Sequence, residues 1–310
     1  MRLFAGSSHP ELASSLAKEL DTTLGNVNTK SFQCGERYIR YEESLRGKDV
    51  YIIQTSTKNP DTDLLELFLL CQAAKLSFAQ TVHVVMPHFP YTRQDRVAQP
   101  REPISAKLVA HLLEESGADH VLTLDLHSSQ IQGFFSIPVD ALSADSIFAE
   151  YFKQKNLKDV VVVSPDAGGA KRAKRFADLI DADLAIIHKS RPQHQEAEVI
   201  ELVGEVKDRP CIIFDDMIDT GGTPLAAKNA LIKHGAHPEI YAVATHGLFS
   251  GKAKENMEKA SFKEIVVTDS VPHSNCKIPN LKILPIAPML AEVINHVERG
   301  ESVTDIYKKK

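Results

Sequence analysis

The stretch Ile212-Ile213-Phe214-Asp215-Asp216-Met217-Ile218-Asp219-Thr220-Gly221-Gly222-Thr223 decides how this chain reads. A short apolar run enters a cluster of acids, a Thr-Gly-Gly-Thr turn follows, and Pro224 to His234 then carries a helical pattern. Strand, turn and helix in that order form the repeating unit of an α/β fold. The turn would expose backbone N–H groups beside a helix N-terminus, which together suit an anion. The acids just ahead of it suit hydroxyl groups or a magnesium ion. One segment is therefore equipped to hold a phosphorylated sugar. The competing reading is an ordinary strand–turn–helix connection.

The same rhythm extends outward on both sides. Strand patterns at Val50–Ile53, Val82–Met86 and Val121–Leu124 alternate with helical patterns at Asp61–Leu76 and Ile104–Ser116. Beyond them come strands at Val160–Val163, Leu184–Ile187, Cys211–Phe214 and Ile240–Ala244, with helices at Gly169–Leu179 and Pro224–His234. Short continuous apolar strands between helices imply parallel sheets covered on both faces. The 310 residues suffice for two α/β units of about 150 residues each. A Pro-Val-Asp turn ahead of a fresh helix puts the boundary between Asp140 and Asp145, giving expected domains 1–143 and 144–310.

Bulk properties exclude several classes. The chain is 43% hydrophobic and 25% charged, with a formal charge of −5, so no overall positive field recruits nucleic acid. Cys34, Cys71, Cys211 and Cys276 lie too far apart for a Cys-x-x-Cys metal pair, and no disulfide framework is suggested. No stretch approaches the ~18 apolar residues of a membrane span. The first residues lack the apolar core of a signal peptide, so a cytoplasmic protein is expected.

Ligands of open α/β sheets gather at the carboxyl ends of strands, and polar clusters recur there. Pro90-Tyr91-Thr92-Arg93-Gln94-Asp95-Arg96 flanks an amide and an acid with arginines, which grip phosphates and stack on purines; a solvated loop with an internal ion pair is the alternative. Asp125-Leu126-His127 follows another strand. Alternation along an extended segment puts Asp125 and His127 on one face, fit for a divalent metal directly or through water. Ser164-Pro165-Asp166-Ala167-Gly168-Gly169 offers a carboxylate that could be a second metal contact, followed by Lys171-Arg172, which reads equally as a solvated face. Lys189-Ser190-Arg191-Pro192 could steady charge developing on a transferred phosphoryl group or could be surface. Phe32 and Glu36 could offer a base a stacking ring and a carboxylate, although a lone Phe more often belongs to a core. No Walker loop, no dinucleotide glycine fingerprint and no His-Glu-x-x-His helix occurs.

Five of these segments, Tyr91–Arg96, Asp125–Phe135, Ser164–Gly169, Lys189–Pro192 and Asp215–Thr223, together resemble the ribose-phosphate diphosphokinase (PRPP synthetase) family over nearly the whole chain. The resemblance implies two phosphoribosyltransferase-type domains, each a largely parallel sheet flanked by helices. It implies transfer of the β,γ-diphosphoryl group of MgATP to O1 of ribose 5-phosphate. By the same likeness Asp219, Thr220, Gly221, Gly222 and Thr223 hold the 5-phosphate, and Asp215 and Asp216 meet the ribose hydroxyls. The loop Arg93, Gln94, Asp95 and Arg96 meets ATP, with Phe32 and Glu36 of a neighbouring subunit shaping the adenine pocket. His127 and Asp166 organise Mg2+, Asp125 and Asp140 match acids assigned to metal, and Lys189 and Arg191 match a mobile catalytic loop. The expected assembly is a homo-oligomer, a hexamer built from dimers, with neither nucleic acid nor membrane as partner.

Three departures stand out. A Ser-Asp pair of many members is Gln33-Cys34 here, a metal-assigned Asp is Ser136, and the middle charge of the catalytic loop is Ser190. The first two motivate the alternative of a non-catalytic, regulatory or nucleotide-binding relative; the retained Lys189, Arg191, His127 and Asp166 argue against it. A transferase that consumes the activated sugar would share the Asp-Asp turn but has no need of the first α/β unit. Ser44-Leu45-Arg46-Gly47 resembles a segment through which phosphate activates and ADP inhibits related enzymes.

Overall fold

The structure, a computed structural model, describes residues 1–190, 199–274 and 276–307. The chain forms two compact units. Met1–Ser143, Ser270–Pro272 and the C-terminal stretch from Ile286 make the first; Ala144–Asp269 and His273–Pro285 make the second.

The first unit begins β1 (Arg2–Ala5), α1 (Pro10–Glu19), β2 (Val27–Ser31), β3 (Arg37–Tyr41), β4 (Asp49–Ile53) and α2 (Pro60–Leu76). It continues β5 (Thr81–Met86), α3 (Ser105–Glu115), β6 (His120–Leu124) and β7 (Val139–Leu142). One parallel sheet runs in the order β1-β4-β5-β6-β7. Alternate residues of its strands, Phe4, Val50, Ile52, Val82, Val84 and Met86, join Leu67 and Leu70 of α2 and Ala110 and Leu113 of α3 in one core. Helix α2 starts where its residues favour a start: Pro60 opens the first turn, Asp61 and Asp63 face the positive end, and Lys75 sits in the last turn.

β2 and β3 form a separate antiparallel hairpin, an element the parallel pattern does not foretell. Its tip turns at Gly35 with φ +94°, a conformation glycine adopts without strain. Just past that turn, Arg37 pairs at 3.1 Å with Glu66 of α2, whose carboxylate is fully buried. Glu66 also accepts from the Ser7 amide at 2.6 Å and the Ser7 hydroxyl at 2.7 Å. A buried carboxylate needs such a complete set of partners, and this one ties the hairpin to both α2 and the loop after β1.

The second unit contains α4 (Asp145–Lys155), β8 (Val161–Ser164), α5 (Ala170–Leu179), β9 (Asp183–Ser190), β10 (Val199–Val203), β11 (Cys211–Ile218) and α6 (Gly222–Lys233). It closes with β12 (Ile240–Gly247), α7 (Ala253–Ala260), β13 (Glu264–Thr268) and β14 (Leu281–Leu284). Seven strands run in the order β10-β9-β8-β11-β12-β13-β14, all parallel except β10, which pairs antiparallel with β9. From β8 the chain builds outward to β9 and β10, then returns to place β11 on the other side of β8. That reversal is the place where α/β sheets open a crevice at their carboxyl ends.

The C-terminal helix α8 (Ala287–Arg299) departs from the 144–310 expectation. It packs on α1, burying Leu290, Val293 and Ile294, and so belongs to the first unit. β11 also differs: the pattern ends it at Phe214, whereas it runs to Ile218 because β12 continues beside it to Gly247. Among the described residues no helix is long and apolar enough to cross a membrane.

A buried histidine pair lies in the first sheet. His83 of β5 stacks flat on Tyr51 of β4, with centroids 4.2 Å apart and planes at 7°. Its Nδ1 is 3.0 Å from Nδ1 of His120, and His120 Nε2 lies 3.1 Å from the Asp140 carboxylate. A carboxylate only accepts, so Nε2 of His120 carries a proton; with a neutral ring, its Nδ1 then accepts from His83. Burial first, and His120 second, push the His83 pKa from the ordinary 6.5 down to about 4. The folded state therefore holds His83 neutral over a range where the unfolded chain protonates it. Its contribution is complete above pH 6.5 and fades as pH falls towards 4. Urea unfolding should show roughly 3 kcal/mol of acid destabilisation from this residue between pH 7 and 4. His83→Gln should lose that share of the pH dependence; an unchanged slope would show the imidazole titrates as it does in water.

Candidate active site

In the second unit, the site is built on the free end of β11. β8 pairs with β11 only from Cys211 to Ile213, while β12 pairs with it through Ile218. Asp215 and Asp216 thus lie on a strand held along one edge and open along the other. They belong to the strand itself, not to the loop after it. The Asp216 side chain is buried and Asp215 half-buried.

Two side chains answer these acids. Arg172, in the first turns of α5, places a guanidinium nitrogen 3.0 Å from Asp216 and 3.9 Å from Asp215. In the sequence Lys171-Arg172 reads equally as a solvated face; the one-sided helix, with Ala173, Phe176 and Ala177 buried, is the signal that turns Arg172 inward. Asp215 is pushed well above the usual carboxylate range, chiefly by burial and then by the charge of Asp216, with Asp166 adding to it. Asp166 sits exposed after β8, accepting from the Gly169 amide at 2.8 Å, while its own carbonyl accepts from Ser164 Oγ at 2.7 Å. Acids from both sides of the strand-order reversal therefore share one electrostatic environment.

Past Ile218 comes the Asp219–Thr223 turn. Gly221 adopts φ +74°, a conformation that strains residues with a side chain, and a Cβ there would come to 2.6 Å from Met257 Cε. The Leu225 amide enters the helix ladder by donating to the Gly221 carbonyl at 3.2 Å. Among the described residues, no protein group accepts from the amides of Thr220, Gly221, Gly222 or Thr223. Together with the positive end of α6, these N–H groups suit a phosphate. The Asp219 carboxylate accepts from Ser250 Oγ and so faces α7's side of the turn.

In the first unit, the expected residues lie at the carboxyl ends of β5 and β6. The Arg93–Arg96 loop is mostly exposed. It is anchored by Tyr91, a non-glycine residue at φ +59°, whose hydroxyl donates to Asp61. Gln94 supports α3: its carbonyl accepts from the Ala106 amide at 3.2 Å and its amide oxygen from Ser105 Oγ.

Asp125 and His127 do not share a face. Asp125 takes φ +37°, which ends the extended chain and breaks the alternation. Its carboxylate is buried and accepts from Ser143 Oγ at 3.0 Å, while His127 is exposed. Nor is Asp140 beside Asp125. Leu142 is level with Leu124, so Asp140 sits about 10 Å lower on the ladder at the usual strand rise, engaged with His120. Among the described residues no three His, Cys, Asp or Glu side chains cluster closely enough to hold a metal by themselves. Single carboxylates such as Asp125 and Asp166 instead suit a magnesium ion that arrives already bound to phosphate oxygens.

At the hairpin tip Phe32 is 49% exposed, so it is not a core residue; it leans edge-on against Tyr38 at 5.8 Å. Glu36 is exposed beside it, and its carbonyl accepts from the Phe32 amide at 2.8 Å. Lys189 lies in β9 opposite Ile200. Arg191 falls outside the described residues.

Breaking one partner out of a buried charge set costs about 3–5 kcal/mol. Arg172→Met should lower stability by about 3 kcal/mol at pH 7.5, and by less at pH 5, where Asp215, raised by burial and its acidic neighbours, takes up a proton more readily. Parallel denaturant melts at the two pH values check this; equal losses at both would mean the guanidinium does not compensate the acids.

Comparison with known proteins places these units in a family. The family model for the N-terminal domain of ribose phosphate pyrophosphokinase matches residues 1–117, and that for the phosphoribosyl synthetase-associated domain matches residues 189–308. The ribose-phosphate pyrophosphokinase of Oceanobacillus iheyensis is 44% identical, over 99% of this chain and 97% of its own length. That of Bacillus subtilis is 45% identical over the same shares, 99% and 97%. The crystal structure of phosphoribosylpyrophosphate synthetase from Mycobacterium smegmatis matches with a TM-score of 0.91 at 40% identity, covering 96% of this chain and 99% of that one. At this identity over this length, and with the strand-end clusters in place, the chain belongs to the ribose-phosphate pyrophosphokinase family.

Proposed function

We propose that this chain is a Mg2+-dependent ribose-phosphate pyrophosphokinase that moves the β,γ-diphosphoryl group of ATP to O1 of ribose 5-phosphate. The observation that carries the reading is the Asp215–Thr223 segment, in which an acid pair able to meet two hydroxyls leads directly into an amide-lined turn able to hold a phosphate. A phosphopentose presents that combination of groups.

Oxygen O1 attacks the β-phosphorus and loses its proton; the bond from that phosphorus to the α,β-bridging oxygen breaks, and AMP leaves with the bridging oxygen. Such transfers depend on positioning and charge neutralisation more than on covalent help from the protein. Thr220, Gly221, Gly222 and Thr223 hold the 5-phosphate by their amides, with Asp219 shaping the turn. Asp215 and Asp216 orient the sugar through its hydroxyls, and Arg172 keeps the pair in place. Arg93 and Arg96 meet the nucleotide phosphates, Gln94 and Asp95 complete that loop, and Phe32 with Glu36 of a neighbouring copy borders the base. Asp125 and His127 of the first unit, and separately Asp166 of the second, would each offer a ligand to magnesium carried by the phosphates; when bound, the ion draws negative charge off the phosphoryl oxygens. Asp140, committed to His120, is left out of that set. Lys189 and Arg191 steady the charge that builds as AMP departs and help keep water away.

The protein works in the cytoplasm as a homo-oligomer built from dimers, which solution mass measurement tests. AMP should form from ATP only when ribose 5-phosphate and magnesium are both present. ATP binding by calorimetry without AMP would favour the non-catalytic alternative. Lys189→Ala and Arg191→Ala should each lower kcat by about 10²–10³-fold, as for loss of a transition-state contact worth ~2.7–4 kcal/mol, with much smaller changes in KM. A fall of less than fivefold in both removes them from the transition state.

A further inference from the structure

The turn after β11 is held from behind. Three consecutive carbonyls are tied to the stretch that runs from the end of β12 into the middle of α7. The Ile218 carbonyl accepts from the Leu248 amide at 2.9 Å and the Phe249 amide at 3.1 Å. The Asp219 carbonyl accepts from the Ser250 amide at 3.1 Å. The Thr220 carbonyl accepts from Asn256 Nδ2 at 2.8 Å. No peptide bond among the described residues is cis, and in a trans peptide the C=O and the following N–H point in opposite directions. Pinning these oxygens towards the segment therefore turns the N–H groups of Asp219, Thr220 and Gly221 away from it.

The three ties are not equivalent. The first two are backbone to backbone, so they persist whatever the side chains. The third comes from one side chain, half-buried in the middle of α7. It acts on the Thr220–Gly221 peptide, just before the left-handed residue. Gly221 is pressed against the same helix: a Cβ there would meet Met257 Cε at 2.6 Å and Asn256 Cβ at 3.3 Å. An isolated turn of this kind could swing that peptide over, since glycine tolerates either orientation. Asn256 restricts that freedom, because its amide reaches the Thr220 oxygen in the observed orientation and would lose it in the swung one.

We propose that Asn256 is a positioning residue for the phosphate: by holding the Thr220 carbonyl it fixes the Gly221 N–H facing the anion, and so sets affinity for the phosphorylated end of the substrate without touching it. This rests on the reading of the Asp219–Thr223 turn as the 5-phosphate site. It assigns to α7, a helix carrying none of the family's sequence signatures, a part in substrate recognition.

The test uses the full-length protein with Asn256→Ala and Asn256→Asp. Alanine is a better helix former than asparagine, so α7 persists in the first variant. The second is nearly isosteric, but an ionised carboxylate cannot donate and repels the carbonyl. Binding of ribose 5-phosphate is measured by calorimetry with ribose as the control, and KM for both substrates and kcat are measured by AMP formation. Ribose 5-phosphate should bind about tenfold more weakly in the Ala variant and weaker still in the Asp variant. KM for ATP should stay within twofold, kcat within threefold and the melting temperature near that of the unsubstituted chain. A general loss of packing would not separate the two substrates in this way. Ribose 5-phosphate affinity within twofold of the unsubstituted chain in both variants overturns the inference, as does a parallel rise in KM for ATP. If the unsubstituted chain binds ribose 5-phosphate but makes no AMP, the proposed reaction fails while the binding arm still decides this point. If it does not bind ribose 5-phosphate at all, both fail.

Discussion

The second unit turns on an inequality in strand pairing. β11 is held by β8 for three residues and by β12 for almost its whole length. Its apolar half is therefore sealed on both edges, while its acidic half keeps one edge open. A symmetric pairing would bury Asp215 and Asp216 between ladders, where two carboxylates side by side would be prohibitive. A shorter β12 would release them into a loop without a fixed spacing. The sheet order adds the second condition, since the reversal at β8 brings the Asp166 loop to the same open edge.

Electrostatics and backbone strain then follow from placement. Burial and mutual repulsion push Asp215 towards its neutral form, and Arg172 offsets part of the excess negative charge. Two of the non-glycine residues in left-handed backbone geometry lie beyond strand ends of the first unit, Tyr91 after β5 and Asp125 after β6. Such conformations cost on the order of 1–3 kcal/mol and persist only where their surroundings dictate them. Here the dictating contacts are visible, Tyr91 with Asp61 and Asp125 with Ser143. The first unit thus holds its strand-end loops by tertiary contacts rather than by the local preferences of the residues.

Much of the architecture was legible beforehand. The apolar runs at Val50–Ile53, Val82–Met86 and Val121–Leu124 lie within β4, β5 and β6, because a strand buried on both faces admits little but β-branched and aliphatic residues. The hairpin at Val27–Tyr41 was not legible: it is half-exposed, and its polar residues lack a strict alternation. β10 and β14 escaped notice as edge strands, with one neighbour each and little need for apolar continuity. The phosphate-suited turn stood out because its glycines and hydroxyl residues are adjacent in sequence. Arg172, Ser250 and Asn256 did not, because each acts on residues more than thirty positions away.

What the sequence determined by itself was the alternation of strands and helices, the strand ends at which polar groups collect, and the Asp-Asp to Thr-Gly-Gly-Thr passage that marks the family. These depend on neighbours in the chain: hydrophobic period, turn chemistry and residue spacing. That α8 packs in the first unit, that β11 carries its acids within the strand, that Asp125 and His127 part company, and that Asp140 serves His120 came from the folded chain alone. Each of those outcomes depends on which distant segment fills the space beside a residue, and a linear pattern holds no record of that contact until the chain has closed upon it.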